Sequence, residues 1–362
     1  MKSVESEPET REWMPASPIV NAAENAPMST ANRSTDPLYR GLIPLLGCLL
    51  TSGSALAHHS IAAFYDRSVP ADVEGIVSDV FWRNPHIGIS IMVDDEQGGQ
   101  EEWQLEGGTF NDLQRSGFDT DAIALGDRIR AVGFAGRRGQ NAIYLNRIYL
   151  ANGEEVVLQG SGRATSTAAA AATDTPEETG IFRVWSNPGM GIYQQRAPLA
   201  LTAEAQAILD SWDPVNDDPG LRCEAPGMPN AILNPYPIAF IDNGDTITIQ
   251  IEEWDARRTI YLDANTPSPG PSHYGHSVGR WDGDTLIVET TDVDWPYLDD
   301  RGAPMSDEAV IVERFILSAN HTVLDHEIEV ADPRYLDEPV IWDQPWISKS
   351  GVQIRPFECA VR

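Results

Sequence analysis

Residues 86–94 read His86-Ile87-Gly88-Ile89-Ser90-Ile91-Met92-Val93-Asp94, with Ile87, Ile89, Ile91 and Val93 at every second position. A period of two places all four side chains on one face of an extended strand, because successive Cβ atoms in a strand point to opposite sides. Working outward, similar patterns predict strands at 72–82, 101–106, 127–135 and 142–150. The single helical candidate between them is 109–116, with Thr109 as N-cap and Gly117 at its C-terminal stop. Three strands, a helix and two more strands is the order of a five-stranded OB-like barrel. The fold class expected is therefore all-β with minor helix.

Beyond this segment, residues 159–180 are rich in Ala, Thr, Ser and Gly and lack bulky apolar side chains, as a linker does. The expected division is a disordered extension and signal over 1–57, an OB-like domain over 58–158, the linker, and a β-rich domain over 181–362. That last part opens with a helix from Thr202 to Trp212 and a stretch containing Cys223, Pro226, Pro229, Pro235 and Pro237, where neither helix nor central strand is expected. Alternating runs follow at Ile247/Ile249/Ile251, Ile260/Leu262, Leu286/Val288, Val310/Val312 and Leu324/Ile328/Val330. Turns such as Asp242-Asn243-Gly244-Asp245 and Asp282-Gly283-Asp284 separate them. Seven to nine antiparallel strands predict a meander closed or nearly closed like a lipocalin-type barrel.

The apolar run Gly41–Ala57, ending in Ala55-Leu56-Ala57, has the length and small-residue end of a secretory signal. Met28 is a natural start for it, with Arg33 and Arg40 as its positive end. Cleavage after Ala57 would leave His58 as residue one, in the periplasm or outside the cell. The alternative is a lipoprotein cut before Cys48, where Leu45-Leu46-Gly47-Cys48 loosely matches a lipobox. Cys223 and Cys359 then remain, and in an oxidising compartment they are expected to pair. The chain carries 25 Lys+Arg against 55 Asp+Glu, a formal charge of −30. Such a surface repels phosphate, so nucleic acid is excluded as a partner, and no segment is long enough for a membrane span.

Three motifs, Ala57-His58-His59-Ser60, Trp82-Arg83-Asn84-Pro85-His86 and Trp103-Gln104-Leu105-Glu106-Gly107-Gly108, resemble the markers of a family of secreted bacterial proteins whose domain has no assigned function. Ile61 stands where that family usually has Phe. The segments Arg222–Pro229 and Gly275–Leu286 are similar to a second module often found in such proteins. The resemblance implies the OB-like architecture and export, and it implies no activity.

An N-terminal histidine would offer an α-amine and an imidazole in one chelate, which suits Cu(II). The candidate metal site is His58, His59, His86 and Glu106, with copper as the cofactor. His276 is the candidate site residue of the second domain. No Gly-x-Ser-x-Gly elbow, P-loop or Rossmann fingerprint occurs, so catalytic residues are not assigned and a non-catalytic binding protein is expected. Its partner would be a metal ion or small molecule. The alternatives are a carrier or sensor that encloses a small apolar ligand in the second barrel and an enzyme of unknown class.

Overall fold

The computed structural model describes residues 61–95, 97–159, 163–164, 180–187 and 198–361, which belong to one compact unit. After a single helical turn, α1 (Ile61–Phe64), come β1 (Tyr65–Phe81), β2 (Gly88–Asp94), β3 (Gln100–Glu106), helix α2 (Phe110–Arg115), β4 (Arg128–Gly136) and β5 (Ala142–Tyr149). Hydrogen bonding runs β3-β2-β1-β4-β5, and β3 pairs back to β5 in parallel through Gln104↔Ala142, Leu105↔Ile143 and Glu106↔Tyr144. Five strands thus close on themselves, with α2 between the third and fourth, which is the OB arrangement. Ile87, Ile89 and Ile91 lie in its core with Val77, Leu105, Ile129, Ile143 and Ile148. Val93 only packs against the edge of that core. Thr109 caps α2 as its sequence predicts, its hydroxyl accepting from the Asp112 N–H at 3.1 Å. Two short strands, β6 (Glu155–Gln159) and β7 (Arg163–Ala164), extend the sheet beyond β5.

β1 begins at Tyr65, seven residues ahead of the strand start read from the sequence. Its first residues pair with the end of β4, as Tyr65↔Gly136 and Asp66↔Ala135, across an irregularity before Pro70↔Phe134. Those residues, Asp66, Arg67 and Ser68 among them, are mostly exposed, so no apolar alternation marks them.

The second sheet contains β8 (Val184–Trp185), then, after helices α3 (Ala203–Ser211) and α4 (Asn230–Leu233), β9 (Ile238–Asp242), β10 (Thr246–Ile251), β11 (Ala256–Tyr261), β12 (His276–Asp282), β13 (Thr285–Thr291), β14 (Val310–Leu317), β15 (Val323–Ala331), β16 (Val340–Asp343) and β17 (Trp346–Ile347). Neighbours follow chain order from β8 to β16, and β17 continues along β15. Ser186 and Ile347 exchange backbone hydrogen bonds of 2.9 and 2.8 Å, which bring the two ends of the meander together. One join departs from the antiparallel expectation: β11 and β12 run parallel through Ile260↔Ser277 and Tyr261↔Val278. The 14 residues between these strands, 262–275, carry the chain back across the sheet.

Trp185, Phe240, Phe315, Trp346 and the isoleucines of β10 fill the interior. The proline-rich stretch was expected to hold no helix, yet α4 forms there and is buried along its whole length. Val310 and Val312 are only half-buried; the inward face of β14 is instead Ile311, Glu313 and Phe315. Trp281, in the β12–β13 hairpin, is 42% exposed and meets Phe182 edge-on at 6.2 Å.

The C-terminal tail has no strand of its own. It passes over the first barrel as extended chain: Cys359 makes an isolated bridge to Asn84, and the Ala360 N–H donates to the Asn84 carbonyl at 3.0 Å. The Cys223–Cys359 disulfide forms, with Cα atoms 6.0 Å apart.

Candidate functional site

His86 and Glu106, 20 residues apart in sequence, come together because β2 and β3 form a hairpin whose open end pairs Gly88 with Glu106. His86 lies just before β2, and Glu106 is the last residue of β3. His86 Nδ1 stands 3.1 Å from the Gly107 carbonyl oxygen and 3.6 Å from Glu106 Oε1. With Nδ1 as the donor to that carbonyl, the imidazole lone pair lies on Nε2. Glu106 is 4% exposed, and its Oε2 accepts a hydrogen bond from the Tyr65 hydroxyl at 2.8 Å.

Burial, the Glu106 charge and the hydrogen bond to it raise the Tyr65 hydroxyl far above its ordinary pKa, so Tyr65 is a fixed neutral donor. Tyr144 packs against Tyr65 with ring centroids 5.5 Å apart and is raised in the same way, by burial first and then by Glu106. A depression of about 20 Å³ lies beside these groups, lined by Phe81, His86, Gln104 and Glu106 among others. That is room for one water-sized occupant.

His58 and His59, together with Cys48 and the signal run, lie outside the described residues. The described chain enters at Ile61, and Tyr65 carries it straight to Glu106. Among the described residues no group of three or more His, Cys, Asp or Glu could hold a metal ion, so His86 and Glu106 stand as a pair.

His276 is 7% exposed; its Nε2 faces the Thr266 carbonyl at 3.1 Å and its ring packs on Tyr261 at 5.2 Å. These contacts give it a packing role. His273, three residues earlier, instead packs on Trp295, and the remaining two histidines are also apart in role: His321 accepts from the Gly180 N–H, while His326 is buried inside the ring.

The sequence reading missed a polar cluster inside the second ring. Arg258 from β11 donates through Nε to Ser277 Oγ at 2.9 Å and through Nη2 to Thr290 Oγ1 at 2.7 Å, and it pairs with Glu313. Glu313 Oε1 in turn faces His326 Nε2 at 3.1 Å, and His326 stacks on Phe315 with centroids 4.4 Å apart. One residue from each of five successive strands, β11 to β15, builds this ladder. Ser277 lies in the Gly275–Leu286 segment, but nothing in the sequence ties it to Arg258, Thr290, Glu313 or His326, which come from four other strands.

A third cluster joins the two barrels. Asn84 Nδ2 donates to Asn111 Oδ1 at 3.0 Å and to the Phe357 carbonyl of the tail. Asn111 Nδ2 donates to Glu252 Oε1 at 3.0 Å and to the Pro356 carbonyl at 3.2 Å. Glu252, fully buried, also accepts from the Arg355 N–H at 2.9 Å and pairs with Arg115. Asn84 of the Trp-Arg-Asn-Pro-His motif is thus a link between barrels, while His86 of the same motif faces Glu106.

Residues 47–144 match a family of unknown function (DUF6152). The match spans His58, His59, His86 and Glu106 and reaches into β5, so the chain's first barrel is similar to that family over most of its length. No curated protein matches the chain. Among the described residues no helix is long and apolar enough to cross a membrane.

Proposed function

We propose that this is an exported, two-barrel binding protein that holds Cu(II) at a processed N-terminus, with His58 supplying amine and imidazole nitrogens and His86 or His59 a further nitrogen. The observation that carries this reading is the pairing of His86 with buried Glu106 at 3.6 Å, where Glu106 also accepts from Tyr65, the first residue of β1. A carboxylate and a backbone carbonyl on the Nδ1 side of an imidazole orient its Nε2 toward a metal and raise its basicity. In this arrangement Glu106 positions His86 instead of ligating copper itself. Ser60 is the only residue between His59 and Ile61, and an extended chain gains at most about 3.3 to 3.6 Å per residue, which bounds how far His58 can lie from Ile61. The carrier reading has less support, because large side chains such as Trp185, Phe315 and Trp346 occupy the ring interior.

The test compares protein trimmed after Ala57 with protein retaining Ala57 before His58, each titrated with Cu(II). Tight binding by the trimmed form alone is expected, and His86→Ala should weaken it where His86, and not His59, supplies the further nitrogen. Equal, weak binding by both forms would refute the proposal, as would a secreted chain that mass spectrometry finds to start elsewhere.

A further inference from the structure

We infer that the cleft between the first barrel and the C-terminal tail binds a small organic monoanion, a carboxylate with a flat apolar body, through Arg83 and Arg355. The cleft has a volume of about 210 Å³, below the roughly 300 to 1,000 Å³ of sites for drug-sized ligands, which sets the ligand size. Arg83, Phe110, Gln114, Arg355 and Glu358 are among its lining residues.

The arginines carry the argument. In a chain with 55 acidic side chains against 25 basic ones, carboxylates take several surface arginines, as Arg128 by Glu74 at 3.2 Å, Arg137 by Asp66 at 3.2 Å and Arg334 by Glu204 at 2.7 Å, whereas two without such a partner line this one cleft. Arg83 and Arg355 have no carboxylate within 4.0 Å among the described residues. Arg83 donates through Nη1 to the carbonyl of its neighbour Trp82 at 2.9 Å, and Arg355 through Nη1 to Gln114 Oε1 at 2.8 Å. A guanidinium has five N–H donors in a planar fork, so each retains donors that fit a carboxylate.

The walls are fixed in advance. Asn84 and Asn111, at 1% and 2% exposure, use their amides to tie barrel and tail together, and the Cys223–Cys359 bond anchors the tail four residues past Arg355. Little ordering is left for a ligand to impose. Phe110 adds an apolar wall. Glu358, also on the lining, reduces the local charge to a single net positive and so favours a monoanion over a dianion. These residues are distinct from the pair assigned to copper, so either proposal can fail alone.

The test titrates the intact, disulfide-bonded protein with benzoate and with benzamide, its uncharged isostere, by calorimetry. Saturable one-site binding of benzoate with a Kd below about 1 mM is expected. Benzamide should bind at least tenfold more weakly. Arg83→Gln and Arg355→Gln should each weaken benzoate about tenfold or more, the scale of a lost charged hydrogen bond. Glu358→Gln should tighten it. Arg83 and Glu358 are exposed, so those variants keep the fold, which circular dichroism verifies. Absence of saturable benzoate binding, equal binding of benzamide, or indifference to both arginine changes would overturn the inference.

Discussion

Glu313 is charged although it lies wholly inside the ring. Burial alone would raise its carboxyl pKa, but the Arg258 charge, the His326 hydrogen bond and charge, and the Arg258 hydrogen bond together outweigh burial and bring it to about 2. A carboxylate whose folded-state pKa lies below the ordinary 4.5 stabilises the fold at pH above that ordinary value, and the contribution is lost as pH falls toward 2. Glu313→Gln should therefore flatten the stability profile in that acid window. It should also cost about 3 to 5 kcal/mol at neutral pH, because Arg258 would be left charged and unpaired in the interior. The double change Arg258→Met with Glu313→Leu should cost less than the sum of the single changes, as urea denaturation of all three variants would measure. This residue also explains a misreading. In Val310-Ile311-Val312-Glu313, alternation alone fits either face, and a charge ordinarily marks the outer one, so the sequence pointed to the wrong set of residues.

Elements were legible where one face is apolar and the other polar, or where a cap is present. The β2 alternation, the Thr109 cap and the Thr202 cap, whose hydroxyl accepts from the Ala205 N–H at 3.3 Å, all follow from local chemistry. The start of β1 was not legible because its pairing is through the backbone with exposed side chains outside. The parallel join of β11 to β12 was not legible either, since nothing in two alternating runs states their relative direction. Between β4 and β5 the register shifts at Val132/Gly133, and a Cβ on Gly133 would stand 1.9 Å from the Tyr144 carbonyl oxygen. That neighbour is backbone, which cannot swing aside. Gly133→Ala should cost about 1 to 3 kcal/mol through overpacking and should lower the denaturation midpoint.

For the whole molecule, composition and cysteine count pointed to a disulfide-bonded, acidic β-protein, and the Cys223–Cys359 pairing agrees. The path of the tail could not be read, because residues 348–361 have no period and are held by polar contacts to Glu252, Asp255 and Asn84 that depend on the folded barrels. The bond closes a separation of 136 residues, for which chain entropy gives about 4 to 5 kcal/mol. Cys223→Ser with Cys359→Ser should lose up to that amount in urea denaturation. It should also speed amide exchange at Arg355 and Phe357, whose N–H groups bond Glu252 and Asp255.

At Ser186 and Ile347 the second ring is shut by two backbone bonds, whereas β14 and β15 share eight paired residues. Trp185 and Trp346 each sit one position before that seam, and both are completely hidden from solvent. Any breathing that parts the seam lets water reach two indoles at once, so the molecule carries its own gauge of whether the ring is shut.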